Sequence, residues 1–220
     1  MDDGTNEGPA GTTRRDLLVA LGSASTVAVA GCSTTLGTDS GSTLRVGTLR
    51  PPITLDPITA TSIGSEQAIR RVFDGIYEYG EGTEIVPAIA AGDPQIDSGG
   101  RTVIVDLAEN TRFQNGRTVV ADDVVYSFTA PLEEDAPTAW RVSPFESVTA
   151  VDERTVRFSL AAPYPALEDA LTLPIAPRQE RDADREAFAT DPVGTGPFEV
   201  ASFSEEKKTT LGRWDDYWGE

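Results

Sequence analysis

Two hydrophobic rhythms alternate along the chain beyond residue 44 and divide it into short strands and helices. In RTVIVDLAEN, residues 101–110, Val103, Val105 and Leu107 recur at every second position, the period of a half-buried strand. ESVTAVDERTVRFSL, residues 146–160, predicts two more strands around the Asp152-Glu153-Arg154 turn, with Val156, Phe158 and Leu160 facing inward. The helical rhythm appears at Ala68, Ile69, Val72, Phe73 and Ile76, spaced three and four apart, where Ser62 or Ser65 can cap the start and Gly75 stands near the end. ADDVVYSF, residues 121–128, predicts a second helix with Asp122 and Asp123 in its first turn, where negative charge complements the macrodipole. Another helix starts within Pro163 to Leu171.

Turn signals set the remaining joints. LRVGTL, residues 44–49, predicts a strand, after which Pro51, Pro52 and Pro57 enforce an extended, turning segment. Gly80-Glu81-Gly82 suits a hairpin, Gly99-Gly100 and Asn115-Gly116 suit turns, and residues 194–214 predict a turn followed by a hairpin. Strands and helices interleave without a strict βαβ order, so the expected class is α+β, a mixed α/β lobe, and not a doubly wound parallel sheet. Residues 44–220 suffice for one real core and are short for two full domains.

Ahead of that region the rhythm disappears. Leu17 to Ala30 is a 14-residue run without charge. A helix needs about 20 residues to cross a hydrocarbon core, so this run has the length of a signal-peptide hydrophobic region. Before it, Thr13-Arg14-Arg15-Asp16-Leu17-Leu18 resembles the twin-arginine export signal. After it, Val29-Ala30-Gly31-Cys32 resembles a lipobox, in which the thiol of Cys32 carries a lipid and the chain is cut just before it. The expected organisation is a signal over 1–31, a lipid-anchored Ser/Thr/Gly tether over 32–43 with a reach of roughly 18 Å, and a working domain over 44–220.

Composition narrows the chemistry. Thirty-six acids against 18 bases give a net charge of −18, a surface that repels nucleic acid and anionic lipid. Such a carboxylate-rich chain, with lysine confined to Lys207 and Lys208, suits high salt. The chain has no histidine, which removes the commonest general base near pH 7 and the usual zinc ligand. One cysteine excludes intramolecular disulfides and CxxC sites. No enzymatic activity, cofactor or metal is expected. A secreted hydrolase would have serines and carboxylates but no base-nucleophile arrangement.

The remaining candidates each have two readings. Asp122-Asp123 and Asp215-Asp216 offer paired carboxylates or a solvated surface, and neighbours in sequence rarely point the same way. Gly194-Thr195-Gly196-Pro197 is a tight turn or an incomplete phosphate cradle, lacking the third glycine of GxGxxG. TATSIGSEQ, residues 59–67, is a helix cap or a set of hydroxyls and N–H groups offered to a carbonyl or carboxylate. Trp140, Trp214 and Trp218 are fillers or stacking platforms, and Trp140 stands in an expected loop.

Seven stretches in order together resemble the extracytoplasmic solute-binding proteins of peptide and nickel ABC importers, solute-binding protein family 5. They are LDP (55–57), VFDGIYE (72–78), TEIVPAIA (83–90), RTVIVDLAENTRFQNGRTVVADDVVYSF (101–128), DERTVRFSLAAPYP (152–165), DPVGTGPFEV (191–200) and RWDDYWGE (213–220). The resemblance implies the first lobe of a periplasmic-binding-protein-like two-lobed clamp, truncated before the second lobe. It implies capture of a peptide-like solute at the extracytoplasmic membrane face, delivery to an ABC permease, and no nucleic-acid partner. The chain would be monomeric unless a second chain completes it. As an alternative, a truncated or split-gene lobe would need that second chain to bind solute.

A Thr-Ser pair after LDP contacts ligand in dipeptide-binding members of the family, which matches Thr61-Ser62. Ile63 stands where the family has glycine, followed by Gly64. By similarity of position Trp140, Gly194 and Thr195 belong near the cleft or its frame.

Overall fold

The structure is a computed structural model that describes Val46, residues 50–205 and residues 207–219. The chain divides into two units, Met1–Val46 and Gly47–Glu220, and every element below belongs to the second. The export signal, Cys32 and the tether lie outside the described residues. Of the strand expected at residues 44–49 only Val46 is described, in no strand.

The centre is a four-stranded antiparallel sheet in the order β3-β4-β6-β5. It comprises β3 (Gln95–Ile96), β4 (Thr102–Asp106), β5 (Phe145–Ala150) and β6 (Thr155–Leu160). The alternation in the sequence fixes which face is buried: Val103 and Val105 of β4 and Val156, Phe158 and Leu160 of β6 are at most 2 % exposed. A helix of thirteen residues (Ala121–Glu133) covers that face with Val124 and Phe128. Phe128, Phe145 and Phe158 meet with ring centroids 5.1 to 5.3 Å apart. Each such pair adds about 0.5–1.5 kcal/mol beyond the area it buries.

Earlier in the chain, α1 (Ile63–Val72) leads into the hairpin of β1 (Tyr77–Tyr79) and β2 (Ile85–Pro87). The thirteen-residue helix is therefore α2. After β6 come three short helices, α3 (Leu167–Ala170), α4 (Arg178–Ala183) and α5 (Arg185–Phe188), then the hairpin of β7 (Phe198–Ser204) and β8 (Lys208–Arg213). Ile69 and Val72 of α1 pack with Phe73, Ala60 and Phe188, and Val200 and Leu211 of the last hairpin close over them.

The α+β reading holds, with three local differences. Helix α1 stops at Val72, and Phe73 turns extended at φ −126° and ψ 141°, so Ile76 lies outside the helix. The cause is Gly75, which bridges to Pro174 so closely that a Cβ there would sit 2.7 Å from the Thr172 carbonyl oxygen. The helix expected from Pro163 shrinks to the four residues of α3. The short helices α4 and α5 and the two-residue β3 carry no hydrophobic period long enough to signal them.

Candidate functional site

The segment from Leu55 to Gly64 is locally over-determined. Asp56, only 3 % exposed, accepts the Ile58 N–H at 3.0 Å and the Thr59 hydroxyl at 3.3 Å, which folds LDP into a turn closed by its own side chain. The Ser65 hydroxyl accepts the N–H groups of Ile53 and Thr54 at 3.1 and 3.2 Å. Ser62 Oγ accepts the Ser65 N–H at 3.1 Å and caps α1. Gly64 passes so near the preceding chain that a Cβ would lie 2.1 Å from the Arg50 carbonyl oxygen. Only glycine fits there. Thr61 and Ile63 are left exposed, Ser62 half-buried.

Trp140 stands on a 3-10 turn, Ala139–Arg141, with 69 % of its surface exposed. The turn is tied on both sides. Thr138 donates its hydroxyl to the Ile58 carbonyl, and Arg141 forms an ion pair with Glu66 of α1. The Arg141 guanidinium also lies 5.5 Å from the centroid of the Trp140 ring. Two ties across a sequence gap of 75 to 80 residues thus join the turn that carries Trp140 to Ile58 and Glu66, on either side of Thr61-Ser62 in the sequence. Between the LDP turn, α1, the 3-10 turn and residues 172–174 lies a shallow depression, open to solvent.

Gly194 and Thr195 occupy another place. The Gly196 N–H donates to the Val72 carbonyl at 2.8 Å, and a Cβ on Gly194 would fall 1.8 Å from that same oxygen. Thr195 is wholly buried: its Oγ1 accepts the Asp74 N–H at 2.8 Å and its carbonyl accepts the Trp218 indole N–H at 3.0 Å. The turn therefore frames the C-terminal end of α1, about 14 Å along the helix from Ile63 at 1.5 Å per residue. Gln114 stitches it further, accepting the Gly194 N–H at 2.9 Å and donating to the Phe198 carbonyl at 2.8 Å. Trp214 and Trp218 are half-buried.

Three charged clusters escaped the sequence reading. Arg181, 1 % exposed, holds both carboxylate oxygens of Asp56 at 2.9 to 3.0 Å and both of Glu134 at 2.8 and 2.9 Å, and donates to the Tyr126 hydroxyl at 2.6 Å. Burial opposes its charge, but Glu134 and Asp56 outweigh it and raise its pKa. Arg181 joins the LDP turn to α2 across 125 residues, a distance over which no local pattern could announce it. Asp123 is not a surface acid: 2 % exposed, it accepts the Val120 N–H at 3.1 Å and pairs with Arg117 at 2.9 Å, while Asp122, Asp215 and Asp216 are exposed.

The third cluster surrounds Asp74, 5 % exposed, whose Oδ2 has no hydrogen-bond partner among the described residues. Burial, with the Glu78 charge adding, pushes its pKa up to about 7, against the opposing pull of the Thr195 and Tyr217 hydroxyls.

Comparison with known proteins bears on the family and the fold. The profile described as "Bacterial extracellular solute-binding proteins, family 5 Middle" matches residues 84–220, which include Trp140, Gly194 and Thr195 and leave Thr61–Gly64 upstream. Protein XP55 of Streptomyces lividans is 30 % identical over 193 residues, covering 84 % of this chain and 34 % of XP55. The nickel-binding protein NikA of Staphylococcus aureus is 30 % identical over 118 residues, 53 % of this chain and 23 % of NikA. The structure of the periplasmic binding protein DppA from Helicobacter pylori, in complex with the peptide STSA, superposes with a TM-score of 0.69 at 25 % identity, over 78 % of this chain and 39 % of DppA. The chain thus spans about a third or less of the curated relatives it matches. With a family profile over more than half its length and the same fold in solved members, the chain belongs to the bacterial extracellular solute-binding proteins, family 5.

Proposed function

We propose that the chain serves as the solute-binding part of an ABC importer, capturing a peptide-like small solute outside the cell and presenting it to the permease without covalent chemistry. The match of the family profile over residues 84–220 carries the reading. The exposed Thr61 and Ile63, the half-buried Ser62 with its hydroxyl at the head of α1, and the exposed ring of Trp140 supply the ligand-facing surface. Gly64 lets the chain pass close enough to Arg50 to form it, and Gly194 and Thr195 hold the far end of α1 as its frame. Cys32 carries the lipid that retains the domain at the extracytoplasmic membrane face, with the 33–43 tether between.

Titration calorimetry of the full chain with tri-alanine into the millimolar range tests the capture function. The expected outcome is a heat of binding that the Thr61→Ala, Ser62→Ala double variant loses. Absence of heat for any of a set of di- to pentapeptides overturns it. Fractionation of cells expressing Cys32→Ala tests the anchor: the variant leaves the membrane fraction, and its retention there refutes the lipid assignment.

A further inference from the structure

One buried side chain stands behind both ligand-facing segments. Asp56 precedes Thr61 by five residues, and Glu134 precedes Trp140 by six. The Nε and Nη2 edge of Arg181 faces Asp56 and the Nη1 and Nη2 edge faces Glu134, while Nη1 also donates to the Tyr126 hydroxyl. All five donors of the guanidinium are thereby engaged. The helix that carries Arg181 is fixed in turn: Glu180 accepts the Arg117 Nε–H at 3.1 Å, and the Arg178 N–H donates to Asp123 at 3.2 Å. From Asp56 the chain runs through its closed turn toward Thr61. From Glu134 it reverses at Asp135, whose φ of 50° is uncommon for any residue but glycine, and the Ala136 N–H returns to the Pro131 carbonyl at 2.9 Å. Beyond these points Thr138 reaches Ile58 and Arg141 reaches Glu66, so the two segments are joined three times in the same order along both. Of these junctions the one through Arg181 is two-point on each side, which fixes orientation as well as distance. Buried ion pairs are a weak source of stability, since apolar side chains of the same volume often do as well, but their geometry is specific.

Given the solute-binding function proposed for the chain, we infer that Arg181 is a positioning residue of the solute site, setting the spacing between the Thr61-Ser62 segment and the turn that carries Trp140. At 1 % exposure it touches no solute itself. It acts through Asp56 on one segment and through Glu134 on the other, so a change at either carboxylate is felt on both.

Arg181→Lys keeps one buried positive charge but offers three donors from a single nitrogen, so it cannot hold both carboxylates at two points each. Glu134→Gln keeps the shape and loosens the second carboxylate alone. Spectra of the ¹⁵N-labelled full-length chain without solute read the Thr61–Gly64 amides and the Trp140 indole N–H. Urea unfolding reads stability, and titration calorimetry with tri-alanine reads affinity. The expected result is that each variant unfolds cooperatively, shifts both sets of signals and binds tri-alanine about three- to tenfold more weakly. Unchanged affinity beside a lowered stability makes Arg181 a structural anchor alone, which overturns the positioning role and leaves solute binding standing. Shifts confined to one of the two segments overturn it in the same way. Should Arg181→Lys fail to unfold cooperatively, Glu134→Gln alone decides between these outcomes. A wild-type chain that gives no heat with any of the di- to pentapeptides overturns the solute-binding reading and this role with it.

Discussion

Replacing Asp74 by Asn makes a sharp test of the packing around the Val72–Glu78 segment. The carboxyl is buried with one oxygen unpaired among the described residues, and burial raises its pKa to about 7 from an ordinary value of 3.8. Since each tenfold change in proton concentration is worth 1.36 kcal/mol, ionising it in the folded state costs about 4 kcal/mol relative to the unfolded chain. The folded pKa is raised, so the stability is fully present below pH 3.8 and is lost as the pH rises through 7. About 3 kcal/mol of that loss falls between pH 5 and pH 8. Glu78, whose pKa burial also raises, adds in the same direction.

Asn keeps the shape, cannot ionise, and can still meet the Thr195 and Tyr217 hydroxyls. Urea unfolding followed by tryptophan fluorescence at pH 5, 6.5 and 8 gives the stability of wild type and variant. Carboxylates that do not interact with Asp74 shift both proteins alike, so the difference between the two curves reports Asp74 together with its coupling to Glu78. That difference should move by about 3 kcal/mol in favour of the variant from pH 5 to pH 8. Parallel pH dependences would refute the reasoning, because they would mean that the carboxyl finds water or a donor in the native protein.

Three further tests rest on other contacts of the fold. Gly194→Ala drives a Cβ to 1.8 Å from the Val72 carbonyl oxygen and should cost about 4 kcal/mol or more, whereas Gly92→Ala, with nothing within 4 Å, should stay within about 0.5 kcal/mol; thermal unfolding of the two compares them directly. Arg181→Met leaves the carboxylates of Asp56 and Glu134 facing each other across an apolar side chain and should cost about 3–5 kcal/mol by urea unfolding. Ser62→Ala removes the cap of α1 and should cost about 1 kcal/mol, a loss that Ser62→Asp should restore.

What the sequence made legible was whatever repeats over a few residues. Val103, Val105 and Leu107 declare a strand because their period is local, and Val156, Phe158 and Leu160 do the same for its neighbour. Helices α4 and α5 were not legible, because RQERDADREAF has almost no apolar face. Its first helix is fixed by Arg181, a charged side chain buried among acids from distant elements. Asp122-Asp123 was half legible: the two do point apart, but the inward one is consumed by Arg117 and by the Val120 N–H. At the candidate site Thr61, Ser62 and Trp140 stood out as loop residues, while the link between their segments depends on Thr138 and Arg141 reaching Ile58 and Glu66, contacts that leave no trace in spacing.

Helix α1 relates the two halves of the sequence-predicted set. Its first turn carries Ser62 as cap, Gly64 against Arg50 and Glu66 against Arg141. Its last residue offers the Val72 carbonyl to Gly196, under a glycine whose Cβ would overlap that oxygen. Thr195, one residue away, holds the Asp74 N–H just past the helix end. A ten-residue helix is too short to hold its own position in water, so its place is set by what grips each end. A disturbance at Gly194 or Thr195 therefore reaches Thr61 and Ser62 without touching solute, through a tilt of about 14 Å of rigid helix. Such variants should lower affinity and stability together, whereas Thr61→Ala, on an exposed side chain, should lower affinity alone.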